Sequence, residues 1–90
     1  MNASDKEKLK IMILEHIRRE AVNKDIKMHT KIETIDIDSI DVINVVFSIE
    51  EELHIRIGPE IEIKETDTIS ELIDRLIEKI EPVLKHRESK

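Results

Sequence analysis

Val42, Val45, Val46, Ile49 and Leu53 recur at the spacing of one face of an α-helix. The stripe opens just after Asp38-Ser39. Asp38 is a good N-cap, because its carboxylate can accept from the free amides of a first helical turn. A helix over about 39–53 is therefore predicted, with Ser39 as its first residue. Ile40, Asn44, Phe47 and Glu51 fall on nearly the opposite face. Two large apolar side chains on one outward stripe beside carboxylates mark a surface for a partner.

The Ser39 hydroxyl would stand at the positive end of that helix, where an anion is favoured. Asp38 and Asp41 oppose a negative charge there. No His, Lys or second Ser lies close in sequence to act as an activating base. Ser39 thus reads poorly as a nucleophile and better as a hydroxyl that another enzyme modifies. Taken alone, a serine after an aspartate cap is only a helix start. The surrounding chain decides between the two.

Ser4-Asp5-Lys6-Glu7 reads as a capping box, with Ser4 as N-cap. Leu9, Met12, Ile13, Ile17 and Ala21 follow at helical spacing and Leu14 widens the stripe, predicting a first helix over about 5–22. Residues 23–37 show no sustained period. Ile26, Met28, Ile32 and Ile35 would pin this long connection onto a core, and loops of such length tend to be functional or to cover something. Thr68-Ile69-Ser70-Glu71 is a second capping box, followed by the stripe Ile69, Leu72, Ile73, Leu76, Ile77 and Ile80. Pro82 would limit this helix to about 69–81. Between these elements, residues 55–63 alternate on both sides of Gly58-Pro59. That pattern fits a hairpin, or else a loop with a short helix over 60–65.

Composition narrows the function. Ninety residues make one domain with a single core, expected over about 5–82 with a flexible tail at 83–90. No cysteine is present, so disulfides and thiolate metal sites are excluded. His16, His29, His54 and His86 show no zinc-ligand spacing, and no metal site is expected. Glu50-Glu51-Glu52 reads as a solvated acidic run rather than a calcium loop. One glycine cannot build a phosphate loop. Phe47 is the only aromatic residue and the net charge is −6, which argues against nucleic acid. The acidity is concentrated: residues 38–71 hold ten Asp and Glu against two Lys and Arg. Such a field steers basic partners. No apolar stretch approaches a membrane span or a signal region, so a cytoplasmic monomer without membrane insertion is expected. An intrinsic enzyme is not expected.

Taken together, residues 5–80 resemble an acyl carrier protein. The resemblance rests on a first helix, a long loop, Asp38-Ser39-Ile40 opening an acidic helix, Glu50-Glu51-Glu52-Leu53 closing it, and a last helix after Thr68-Ile69. The family motif is Asp-Ser-Leu, and Ile40 conservatively replaces the leucine. The chain departs from the family where Asp36 replaces a glycine, Lys31-Ile32 a buried aromatic and Asn44 a glutamate. The stretch before the last helix is also one residue longer. These departures fit a specialised member.

The resemblance implies an all-α fold, a four-helix bundle with a short or irregular third helix. It implies that Ser39 carries 4′-phosphopantetheine, attached from coenzyme A by a phosphopantetheinyl transferase. Asp38 resembles the residue that helps hold the transferase-bound magnesium. Acyl groups would ride on the arm as thioesters, bound for acyl-transferring or condensing enzymes of fatty-acid, polyketide or related biosynthesis. Those enzymes would dock basic surfaces on Asp38, Asp41, Asn44 and Glu51, with Ile40 and Phe47 as the apolar contact. A short acyl chain would retreat among Val46, Ile49 and Leu72. The alternative is a non-carrier acidic helical interaction module, in which Ser39 is a helix residue and nothing more.

Overall fold

The computed structural model describes residues 3–23, 25–35, 37–58, 60–64 and 67–88. Helix α1 spans Ala3–Ala21, α2 spans Ser39–Leu53 and α3 spans Ile69–Glu88, with a single 3₁₀ turn at Ile32–Thr34. The all-α class is as expected. The helix count is not: among the described residues there are three α-helices where four were expected.

The core is built from the three stripes. Leu9, Ile13, Leu14 and Ile17 of α1 are buried, as are Val42, Val45, Val46 and Ile49 of α2. All six expected positions of α3, from Ile69 to Ile80, are buried too. Helix α1 packs against both α2 and α3. No helix among the described residues is long and apolar enough to cross a membrane.

Helix α2 has the bounds that its stripe and cap predict. Helix α1 already includes Ser4, so Ser4 is not the residue that precedes it. Terminal boundaries are the least constrained part of a helix. Thr68 and Glu71 do form the expected box: the Thr68 amide donates to Glu71 Oε1 at 3.1 Å, and the Glu71 amide to Thr68 Oγ1 at 3.3 Å.

Pro82 does not end α3, which runs through it to Glu88. A proline within a helix removes one backbone hydrogen bond and crowds the preceding turn, costing about 3 kcal/mol. Contacts on both sides of it oppose that cost. Leu84 packs against the core, and Glu81 pairs with Lys6 of α1 at 3.6 Å.

Among its described residues the segment after α2 forms neither the hairpin nor the short helix; Pro59 and Glu65, which those readings included, lie outside the described residues. Its described residues, 54–58 and 60–64, contain no helix and no strand. The alternation still has its usual meaning. Ile55, Ile57, Ile61 and Ile63 pack against the core, while Arg56, Glu60, Glu62 and Lys64 are exposed. A period of two cannot present one face as a helix. No neighbouring strand is needed, because side chains of α2 and α3 take part of the ladder's role. Glu50 Oε2 accepts from the Ile57 and Gly58 amides at 2.7 and 3.1 Å. Arg75 Nη1 donates to the Glu62 carbonyl at 3.2 Å, and Lys79 Nζ to that of Glu60.

The long connection leading to α2 is fastened in the same way. The Ile32 amide donates to the Asp67 carbonyl at 2.9 Å, and the Ile69 and Ser70 amides donate to Thr30 and Met28 at 2.8 Å each. Lys31 and Thr68 form an isolated antiparallel bridge. Ile26 and Ile32 are buried beneath this connection, and Met28 and Ile35 pack partly against the core.

Asp67 joins these parts. Its carboxylate is nearly sealed from solvent, bonds Arg75 and accepts the Lys64 amide at 3.0 Å. The Arg75 hydrogen bond holds the Asp67 carboxyl below its ordinary value of 3.8, against burial, which pushes it up. In the unfolded chain the group titrates near that ordinary value. The stability it contributes is therefore present above about pH 4 and is lost as the pH falls through the lower, folded value. Asp67→Asn should be less stable than wild type at neutral pH. The gap between their urea midpoints should narrow as the pH falls below about 4.

Candidate functional site

Asp38 adopts an extended backbone, φ −121° and ψ −174°, and caps α2. Its Oδ1 accepts the Asp41 amide at 3.0 Å, and Asp41 Oδ2 in return accepts the Asp38 amide at 3.0 Å. This reciprocal box was missed from sequence, where Asp41 was read only as surface charge. The signal was present as an aspartate three residues after an aspartate cap. The Val42 amide reaches the Asp38 carbonyl at 3.1 Å and starts the helical ladder.

Ser39 is thereby fixed as the first residue of α2, and it is exposed. Among the described residues none hydrogen-bonds to its hydroxyl, so nothing there activates it as a nucleophile. What the tip offers is a solvent-facing hydroxyl at the positive end of an α-helix.

The outward face of α2 follows from the same register. Ile40 is 66% exposed and Phe47 52%, the two large apolar side chains that α2 leaves in water. Asp38, Asn44 and Glu51 are exposed beside them, and Asp41 is half-buried. Asn44 Nδ2 donates to Glu20 Oε1 of α1 at 2.9 Å, so this face extends toward α1. At the other end of α2, Phe47, Glu50, Glu51, Ile55, Arg56 and Gly58 line a hollow of about 470 Å³.

The triple glutamate is not one solvated run. Glu50 holds the backbone at 57–58. Glu52 Oε1 lies 3.0 Å from Nε2 of the buried His16, clasping α2 to α1. Glu51 is exposed beside Phe47 on the outward face, and Glu52, though paired with His16, is exposed as well. Composition cannot separate three identical residues; the helical register does. Val46, Ile49 and Leu72 are all fully buried within the shared core. Among the described residues no group of three or more His, Asp or Glu is placed to hold a metal ion.

The structure thus places an exposed hydroxyl at the tip of α2, beside carboxylates and two exposed apolar side chains. The phosphopantetheine attachment site family matches residues 13–76, and the chain belongs to that family. Its cofactor is 4′-phosphopantetheine, held covalently on a serine. Its partners are phosphopantetheinyl transferases and biosynthetic enzymes. No curated protein and no solved structure matches the chain.

Proposed function

We propose that Ser39 bears the arm, and that the chain delivers acyl groups to enzymes of fatty-acid, polyketide or related biosynthesis. The observation that supports this most is the accessibility of its hydroxyl. Three serines lie in the matched span: Ser39, Ser48 and Ser70. Ser48 is half-buried in the middle of α2 beside α1. Ser70 is half-buried in the first turn of α3, where its amide binds Met28. Ser39 alone of the three is exposed, and it stands at a helix N-terminus, which suits a phosphodiester. The bound arm supplies a thiol for thioester chemistry, which a chain without cysteine lacks.

The chain's own residues hold and present the acceptor. The Asp38–Asp41 box fixes the turn on which Ser39 stands. It also keeps the Asp38 carboxylate next to the acceptor, for the transferase and its magnesium. Asp38, Asp41 and Glu51 attract a basic partner surface, and Ile40 and Phe47 supply the apolar contact around Asn44. A short acyl chain would lie against Val46, Ile49 and Leu72, and their burial means that it enters only by parting these side chains.

Transferase kinetics test the face. Ile40→Lys and Phe47→Ala should each lower kcat/KM for arm attachment by about 10–100-fold, as loss of a central apolar anchor does. Glu51→Lys should have a smaller effect that fades with added salt. Wild-type rates in all three variants would show that partners dock elsewhere.

A further inference from the structure

Helix α1 carries two exposed apolar side chains that the carrier reading leaves unused. Ile11 is 60% exposed and Val22, just past the helix end, 89%. Val22 has φ 51°, a left-handed conformation that a β-branched residue adopts only at a cost. It closes α1 where glycine is preferred: the Val22 amide binds the Arg19 carbonyl at 3.2 Å and the Asn23 amide that of Arg18 at 3.0 Å. With so little of its side chain covered, folding gains almost nothing from a valine there.

Ile11, Glu15 and Arg18 fall at the spacing of one helix stripe, and Val22, four residues on, closes it just past the end of α1. At helical pitch Ile11, Glu15 and Arg18 lie opposite Leu9, Ile13 and Ile17, on the side of α1 turned away from the core, and Val22 follows at the exposed end of the helix. The order apolar, acid, base, apolar is its own complement when reversed. We propose that this seam pairs with a second copy of the chain, α1 against α1, antiparallel about a two-fold axis between His16 and Ile17. Ile11 then meets Val22 of the second copy and Glu15 meets Arg18, each pair occurring twice. A parallel pairing would instead set Glu15 on Glu15 and Arg18 on Arg18, which is repulsive.

Two further features fit this occupant. A hollow of about 440 Å³ at the end of α1 is walled by Glu15, Arg18, Arg19, Val22 and Asn23, and gives the opposing Ile11 room. Arg18 is already held in place, its Nε donating to the Ile26 carbonyl and its Nη1 to Glu15 Oε1, both at 2.7 Å. Its planar fork is thus set to share a second carboxylate with little further loss of freedom. A single helix pair buries less than the roughly 800 Å² per partner of a standard interface, so the dimer is weak. The seam uses no residue of α2 and is independent of which serine bears the arm.

The absence of cysteine makes a direct test possible. In the proposed pairing the two copies of residue 11 are about 16 Å apart at 1.5 Å per residue, too far for a disulfide. Ile11→Cys and Val22→Cys single variants, mixed and gently oxidised, should form the mixed dimer at least about 5-fold in excess of the Ile11→Cys homodimer. Sedimentation of the wild-type chain between about 10 µM and 1 mM should show its mass rising toward twice 10.6 kDa. Ile11→Lys should weaken that association at least about 10-fold with helicity unchanged. A monomer throughout the range would overturn the proposal. So would an association untouched by Ile11→Lys, or self-linking of Ile11→Cys as ready as mixed linking. Loading by a transferase, measured on the same samples, reports separately on the carrier reading.

Discussion

Ser39→Ala is expected to gain no mass on exposure to coenzyme A, magnesium and a phosphopantetheinyl transferase, where the wild-type chain gains one arm. On the proposed assignment the loss is complete, because the hydroxyl would be the acceptor itself. Folding should be unaffected. The cap of α2 is made by Asp38 and Asp41, and Ser39 is exposed, so the variant should melt within about 0.5 kcal/mol of wild type. Asp38→Ala separates the two roles. It removes the carboxylate half of the box, should cost about 1 kcal/mol, and should slow loading without abolishing it. A Ser39→Ala chain that still loads fully would move the arm to another serine.

Leu72→Ala is expected to have the largest effect on stability. The side chain is fully buried in α3. Truncating a leucine in such a place costs about 2–5 kcal/mol, the lost transfer energy plus the cavity left behind. A chain of this size has roughly 5–13 kcal/mol in all, so the urea midpoint should fall steeply with the slope unchanged. The variant also tests the acyl site. If the acyl chain lies against Val46, Ile49 and Leu72, its methylenes refill the gap at about 0.8 kcal/mol each. Acylation should then raise the melting temperature of Leu72→Ala by more than it raises that of wild type. Equal shifts would place the acyl chain outside the core.

The three stripes were legible because helix burial depends on a local period, and α2 was legible at both ends because its cap is local too. Pro82 was misread for the converse reason. Whether a helix survives a proline depends on what lies beyond it, here Leu84 on the core and Glu81 on Lys6. The alternation of residues 55–63 correctly marked which side chains turn inward. It could not say that Glu50, Arg75 and Lys79 would hold that backbone in place of a strand or a helix, since those partners come from other elements. The same limit hid Asp67, whose bonds to Arg75 and the Lys64 amide read in sequence only as scattered charge. The candidate site was the most readable part, because Asp38, Ser39, Ile40 and Phe47 all belong to one helix and one register. Ile11 and Val22 do not stand out in sequence, because a single exposed isoleucine or valine means little until the fold shows how little of each is covered.

Peptide mapping of the transferase-treated wild-type chain tests the central claim most directly. The fragment bearing phosphopantetheine should contain Asp38-Ser39-Ile40, with fragmentation placing the group on Ser39 and leaving Ser48 and Ser70 unmodified. An arm found on either of those two, or a chain that takes up no arm from any of several transferases, would contradict the account.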